Sequence, residues 1–218
     1  MLDLIFFYWI GLDFIQLSDD SKINHNMIKL NHALLSSVLS YYISYQYSSF
    51  MNLFFYNFSK TYFIWDTIKL INANSLSVPI FFHHLGTIYL LSEFNQNYNP
   101  ILSRSFCIGE LSNISIYLTY YAIKINYKYV HYVELFQIAW YGYFRIYLLS
   151  TYVKYLPTLQ NKILSVSLFI IYLMGILWWG VLIKKYLNEH LKCSLKTLKF
   201  DFIPKNKNIT TTTNNDSS

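Results

Sequence analysis

Apolar stretches of helical length recur along nearly the whole chain, and short polar segments separate them. A helix of about 20 mostly apolar residues can cross the roughly 30 Å hydrocarbon layer of a membrane. These stretches are continuous, whereas the strands of a transmembrane barrel alternate apolar and polar residues over about 10 positions. The pattern therefore predicts an all-α membrane protein, a helical bundle or barrel with six or seven spans. The candidate spans are Leu2–Leu17, Leu30–Phe50, Phe54–Ile71, Val78–Phe94, Ile101–Ile125, His131–Val153 and Lys162–Tyr186.

Composition agrees with a membrane protein. Hydrophobic residues make up 54% of the 218 residues and charged residues 13%, which is about half the charged fraction of roughly 25% found in soluble domains. Only Met51, Asn52 and Leu53 separate the second candidate span from the third, so the count stays between six and seven. Tyrosine is abundant together with Phe, Ile, Asn and Lys while Gly, Pro and Arg are scarce. This bias is typical of AT-rich coding, so the tyrosine content carries no functional weight.

The distribution of lysine predicts the orientation. Short lysine-rich segments beside a span stay on the cytosolic side of a membrane. Lysines cluster from Lys184 to Lys207 and account for most of the net charge of +6, so the C-terminus is expected to be cytosolic. Because the lysines are spaced along the sequence, within this segment as elsewhere, and no nucleic-acid-binding module accompanies them, nucleic acid is not an expected partner. With seven spans, the lysines that also fall near cytosolic loops are Lys22, Lys29, Lys69, Lys124 and Lys128.

Polar residues inside four candidate spans share a helix face, because they recur at spacings of three and four residues. In the fourth span, His83 and His84 each lie one turn from Thr87. Faces of this kind, turned inward, would enclose a polar cavity lined by tyrosines and suited to a lipid headgroup. The polar positions are His32, Ser36 and Ser40 in the second span; Tyr62, Asp66 and Lys69 in the third; His83, His84 and Thr87 in the fourth; Ser103, Cys107, Glu110, Asn113, Tyr117, Tyr121 and Lys124 in the fifth; and Glu134, Gln137, Tyr141 and Arg145 in the sixth.

Some of these residues favour a function more than others. Small polar groups such as Ser36, Ser40 and Asn113 often serve only to hydrogen-bond between helices, at about 0.6 kcal/mol each. A charged group such as Asp costs roughly 2.5–3.5 kcal/mol at the centre of a span. Asp66, Glu110 and the histidine pair are therefore the better candidates for a functional role.

The adjacent histidines, His83 and His84, do not favour a metal site. Successive helical residues point about 100° apart, so a pair at i, i+1 ligates one ion less easily than a pair at i, i+4. The chain also has none of the clustered histidine motifs of membrane di-iron enzymes. No metal and no cofactor is expected. What remains for the pair is acid–base chemistry or acyl transfer, in which a neutral imidazole takes a proton or accepts an acyl group.

Short elements in successive spans resemble the TLC membrane domain, which is shared by ceramide synthases, translocation-associated membrane proteins and ceroid-lipofuscinosis-type proteins. The resemblance covers roughly Asn31 to Tyr186, and it implies a helical barrel of about six spans around a lipid-accessible cavity. The elements that carry it, in order, are His32-Ala33, Trp65-Asp66, His83-His84, Glu110-Leu111-Ser112 and Tyr143-Phe144-Arg145.

Ceramide synthases in this family transfer an acyl group from acyl-CoA to the amine of a sphingoid base. Their HHxxT element is reproduced by His83, His84 and Thr87. Their paired-aspartate element, DxSD, is replaced here by Glu110 and Asn113 at its two acidic positions. Because Asn cannot supply the second charge, the chain resembles more closely the members that are not synthases and that affect membrane lipid composition.

Two functions follow as expectations. The first is a lipid-handling or lipid-sensing protein with a polar intramembrane cavity; the second is a ceramide synthase-like N-acyltransferase with His83, His84, Glu110 and Asp66 as its catalytic groups. The expected partners are membrane lipids, with acyl-CoA and a sphingoid base in the second case. The expected location is the endoplasmic reticulum or another endomembrane, or a host membrane if the chain is viral. The residues expected to contact the lipid or its headgroup are His32, Thr87, Asn113, Tyr117, Tyr141 and Arg145.

The resemblance also implies a division of the chain into three parts. Residues 1–29 hold the first span and a loop, and residues 30–187 form the TLC-type domain. Residues 188–218 form a cytosolic tail, basic at first and then polar and disordered, since its composition cannot bury a core.

Overall fold

The computed structural model describes residues 2–15, 20–96, 99–155 and 161–201, and within these ranges the chain is helical with short connections and no strand. The all-α prediction is thus confirmed. A π-helical segment, Gly142–Leu148, joins α6 to α7 without a break. The helices are α1 (Leu2–Phe14), α2 (Ser21–Tyr45), α3 (Ser49–Asn72), α4 (Val78–Gln96), α5 (Pro100–Lys124), α6 (Val130–Tyr141), α7 (Leu149–Val153) and α8 (Lys162–Asp201).

Each predicted span corresponds to one helical rod, with α6, the π segment and α7 counted together, but several boundaries differ. The second span was predicted to begin at Leu30, whereas α2 begins at Ser21. The second and third rods are separate, and they part at residues 46–48 rather than 51–53. Helix α8 continues to Asp201, into the predicted tail. The tail predicted to be disordered, from Asn206 onward, lies outside the described residues.

Side chains and asparagine conformations explain where the helices begin and end. Asp20 precedes α2, and its Oδ1 accepts hydrogen bonds from the backbone N–H groups of Lys22, at 2.8 Å, and Ile23, at 3.4 Å, which satisfies donors left free in a first helical turn. Asn74 and Asn126, after α3 and α5, adopt φ values of 49° and 51°. Asparagine tolerates this left-handed conformation, which closes the last turn of a helix.

Ion pairs gather helix termini at one end of the molecule. Lys69 Nζ lies 2.6 Å from Asp13 Oδ2, which joins the ends of α3 and α1. Lys124 Nζ lies 3.0 Å from Asp20 Oδ2, which joins the end of α5 to the start of α2. The hydrogen bond from Lys124, with help from backbone N–H groups, holds the pKa of the Asp20 carboxyl below its usual value. Lys22, Lys69 and Lys124, which were predicted near cytosolic loops, lie together at this end of the molecule.

Helices α2 and α5 pack against each other through small polar residues. Ser36 and Ser40 of α2 are fully buried, and so are Ser103 and Ser112 of α5. The α2 hydroxyls donate to carbonyls one turn earlier in their own helix, such as Ser36 to His32 at 2.6 Å, so their burial leaves no free donor. Small side chains let helix backbones approach closely, and this serine seam sets the position of Glu110 opposite α2.

The described part of the molecule buries many polar groups beside its hydrophobic core and exposes many large apolar side chains. Its buried residues include Asp66, Glu110, Glu134 and Arg145, together with many serines. Its outer faces carry large apolar side chains, among them Val38, with 67% of its side chain exposed. A soluble protein of this size rarely exposes wide contiguous apolar surface. Others of the exposed kind are Leu34, Tyr41, Phe81, Phe82, Leu85, Leu135, Phe136, Tyr147, Ile163, Val166, Ile170, Leu177 and Val181.

One helix of the described chain is long and apolar enough by itself to cross a membrane. It is the stretch Lys162–His190 of α8, with 29 residues and a mean hydropathy of 2.3 in its most apolar part, only 17% of which is buried. The predicted spans are confirmed as helices in the described residues, and the crossing of a membrane by any of them, α8 included, stays a prediction.

Candidate functional site

A buried carboxylate, Asp66 of α3, lies at the centre of one polar cluster. His25 Nε2 is 2.6 Å and Lys29 Nζ 3.1 Å from its Oδ1, and His84 Nε2 is 3.4 Å from its Oδ2. These groups come from three helices, since His25 and Lys29 lie on α2 and His84 on α4. We call this set, with Thr67, the Asp66 cluster. A single buried carboxylate here compensates Lys29, whose side chain is 18% exposed, and orients two imidazoles, so the cluster ties α2, α3 and α4 together.

The two adjacent histidines have different environments. Both ring nitrogens of His84 are engaged, because Nδ1 lies 2.7 Å from Thr67 Oγ1 and Nε2 faces Asp66. His83 packs its ring edge against Trp178, at 5.5 Å between centroids. Its buried Nδ1 has no hydrogen-bond partner among the described residues. Of the pair, His83 is therefore the imidazole that is free to meet a ligand, and His84 is held in the Asp66 cluster.

An aromatic stack connects the Asp66 cluster to Glu110. The ring of His32 lies parallel to the ring of Tyr62, one helical turn before Asp66, at 3.7 Å between centroids and 7° between planes. His32 Nδ1 lies 3.6 Å from Glu110 Oε2. Trp9 of α1 covers the stack, and its indole N–H donates to Thr61 Oγ1 at 3.2 Å. His32 is thus sealed inside the core, where it serves to position Glu110.

A cavity lies on the other side of Glu110, between α3, α4, α5, the π segment, α7 and α8. Its volume is about 60 Å³, room for a few water-sized groups, and it opens at a mouth through which a longer ligand would extend. We call it the Arg145 cavity. Its polar wall consists of His83, Thr87, Ser103, Ser105, Glu110, Asn113 and Arg145. Its apolar wall consists of Phe55, Leu90, Leu91, Leu102, Phe106, Leu149, Leu168 and Ile171, with Gly109 between the two.

Arg145 is held in this cavity by a close backbone approach on two sides. It lies in the π-helical segment, a geometry that is rare and frequently found at functional sites. A methyl group added to Gly109 of α5 would lie 2.8 Å from Arg145 Nη1, and one added to Gly175 of α8 would lie 2.7 Å from its Cγ. At Gly175 a methyl group would meet the base of the arginine side chain and force all of it to move, whereas at Gly109 it would meet only the mobile guanidinium end.

The predicted inward faces are confirmed by burial in most cases. All four residues predicted for the sixth span, from Glu134 to Arg145, are buried. In the fifth span the inward face ends earlier than predicted, because Tyr121 and Lys124 are exposed. The structure brings His83, Thr87, Glu110, Asn113 and Arg145 to one cavity, whereas His32, Asp66 and His84 lie in the adjoining cluster. Tyr117 and Tyr141 are not among the residues that line this cavity, and their contact with a lipid headgroup stays a prediction.

Two features were missed by sequence reasoning. His25 and Lys29 share a helix face with His32, at spacings of four and three residues, but the span placed from Leu30 left them out. At the end of α8, His190 Nε2 lies 2.9 Å from Glu134 Oε2. Ligand atoms of Glu134, Glu189 and His190 all lie within 4.8 Å of one another and could hold a metal ion. However, Lys185 Nζ at 3.5 Å already neutralises Glu134.

Comparison with family models, with curated proteins and with solved structures finds no match for this chain. The TLC resemblance therefore depends on its short sequence elements alone. In the structure these elements lie on helices that meet around the Asp66 cluster and the Arg145 cavity. Tyr143 lies on one of these helices too, but its side chain is exposed.

We expect Asp66→Asn to destabilise the protein by about 2–3 kcal/mol, because it removes the buried charge that Lys29 and two imidazoles contact. Asp13→Asn is the matched control, since it breaks an ion pair that is partly exposed on both sides and is worth at most about 1 kcal/mol. Equilibrium unfolding of the purified chain, followed by circular dichroism, measures both. Equal losses in the two variants would show that Asp66 is not the central counter-charge.

Proposed function

We propose that this chain is an integral membrane protein of TLC type that binds membrane lipid in the Arg145 cavity and acts in membrane lipid composition or sensing. The observation that carries the proposal is the distribution of polar and apolar side chains in the described part of the molecule. Charged and polar side chains share the interior with an aromatic and aliphatic core, and many large apolar side chains are exposed on the outer faces. This distribution suits a hydrocarbon solvent, in which intramembrane ionisable groups face a bundle interior or a cavity.

Helix dimensions support the membrane placement. Helices α2, α3 and α5 have 25, 24 and 25 residues, and at 1.5 Å per residue each is about 36–38 Å long. That length exceeds the roughly 30 Å hydrocarbon layer. The end that carries Lys69 and Lys124 then faces the cytosol, since lysines concentrate on that side. An endomembrane such as the endoplasmic reticulum is the proposed location.

The lining of the Arg145 cavity supports lipid as the ligand. Its apolar wall of leucine, isoleucine and phenylalanine side chains suits an acyl chain, and its polar wall suits a headgroup. Small-molecule sites commonly combine a mostly apolar lining with a few well-placed polar groups, and in all-helical proteins they lie between helices.

A second candidate function is N-acyl transfer from acyl-CoA to a sphingoid base. One observation favours it: His83 lies in the cavity wall with a free Nδ1 and shares that wall with Glu110. There it could act as the base that takes a proton from the attacking amine. His84 is unsuited to this role because both its ring nitrogens are engaged.

Filling the cavity should remove bound lipid. We expect wild-type protein purified in a neutral detergent to retain lipid, and Ser105→Phe to lose most of it, because Ser105 is buried in the cavity wall. Ser150→Phe makes the same change on α7, outside this cavity, and should retain lipid like the wild type. Mass spectrometry of lipid extracted from equal amounts of protein is the measurement. Equal retention by the three proteins, or none in any, would argue against the proposal.

The acyltransferase alternative is tested in cells that lack their own ceramide synthases. The lipid-binding proposal predicts no new labelled ceramide when the chain is expressed there. Labelled ceramide that disappears with His83→Ala but persists in part with His84→Ala would instead establish the transferase. Ceramide formation that is indifferent to both substitutions would exclude a catalytic role for the pair.

A further inference from the structure

We propose that the Arg145 cavity recognises the anionic head of an amphiphile, a carboxylate or a phosphate carried on a hydrocarbon chain. This inference rests on the proposed lipid-binding function and names the class of lipid. It starts from Arg145, a side chain that is only 4% exposed and lines the cavity. Its Nε is buried and has no hydrogen-bond partner among the described residues.

The charge of Arg145 has no counter-charge in the described part of the chain. No carboxylate oxygen there lies within 4.0 Å of its guanidinium nitrogens, whereas Lys29 has Asp66 at 3.1 Å. Glu110 is the acidic residue of the cavity wall, and its nearest basic contact in the described structure is His32 Nδ1 at 3.6 Å rather than Arg145. Burying a charge without a partner is costly, so an anion bound beside Arg145 would complete this site.

Packing prevents Arg145 from escaping to the surface. Gly109 and Gly175 enclose its side chain so closely that added methyl groups would collide with it. Long cationic side chains at exposed helix positions turn toward water instead. Two glycines and a π-helical turn thus accommodate a guanidinium inside a cavity. This arrangement fits a ligand-binding role for Arg145 better than a purely structural one.

Other cavity groups complete the site for an amphiphile. Besides Arg145 Nε, the buried Nδ1 of His83 has no partner among the described residues, and His83 lines the same wall. The Asn113 amide supplies further polar atoms there. A guanidinium binds carboxylate and phosphate oxygens through paired N–H donors. Leu90, Phe106 and Leu168 line the apolar part of the cavity, where a hydrocarbon chain is the favoured occupant. A small soluble anion would leave that wall unfilled.

The test compares charged and uncharged amphiphiles of the same chain length. Radiolabelled oleate and phosphatidate are measured against oleyl alcohol and diacylglycerol, on full-length protein in nanodiscs of neutral phosphatidylcholine. We expect the wild type to bind at least one charged probe tenfold or more tightly than its neutral partner. Arg145→Gln should abolish this preference. Arg104→Gln, which changes the other arginine outside the cavity, should leave it unchanged.

A stability measurement separates recognition from a structural role. If Arg145 is an unpaired charge kept for its ligand, Arg145→Gln without ligand should unfold at the same temperature as the wild type or higher. Added oleate or phosphatidate should raise the unfolding temperature of the wild type alone. If Arg145→Gln does not fold, Gly175→Ala tests the same site, because it displaces the arginine and keeps the charge.

The outcomes are distinguishable. Charged preference in the wild type that is lost in Arg145→Gln supports the inference, and the stronger of the two charged probes identifies the head. Equal binding of charged and neutral probes overturns it and leaves the lipid-binding function intact. No binding of any probe overturns both. Inorganic phosphate that displaces oleate as well as unlabelled oleate does would overturn the amphiphile as the ligand.

Discussion

The carboxylate of Asp66 is the interaction on which the rest of the interior depends. It accepts contacts from His25 and Lys29 on α2 and from His84 on α4, so three helices converge on one buried charge. Removing one member of a buried ion pair costs far more than breaking an exposed one, since the remaining charge loses its partner. This requirement fixes α4, and with it the direction in which the neighbouring His83 points. The position of His83 in the Arg145 cavity thus follows from the contacts that hold His84 in the Asp66 cluster.

The serine seam between α2 and α5 complements that ion-paired cluster. Its buried hydroxyls donate to backbone carbonyls, so the two helices pack closely without leaving unsatisfied polar groups. Close packing in turn places Glu110 against His32, which frees the cavity side of α5 for Arg145. Most polar groups around Asp66 and the seam are satisfied, although His32 Nε2 has no partner among the described residues. In the cavity wall, Arg145 Nε and His83 Nδ1 have no partners in the described structure. The proposed lipid site lies at this wall.

Helical periodicity was sufficient to predict the inward faces but not how they meet. Glu134, Gln137, Tyr141 and Arg145 are buried as their spacing indicated. Hydropathy placed the start of the second span at Leu30 because polar residues precede it. His25 and Lys29 were therefore left out of the span, although both pack against Asp66 in the folded chain. The separation of His83 from His84 into different sites could not be predicted, since it depends on which neighbour each face meets. The glycines that enclose Arg145 likewise show their role only through tertiary packing.

The central claim is that the Arg145 cavity holds a membrane lipid by an anionic head. A crystal structure of the wild-type chain grown in a lipid mesophase doped with oleate and phosphatidate tests this claim most directly. The account predicts elongated density in the cavity, with its head within hydrogen-bond distance of the Arg145 guanidinium and its chain along Leu90, Phe106 and Leu168. A cavity that holds only water, or an acyl chain whose head points away from Arg145, would contradict it.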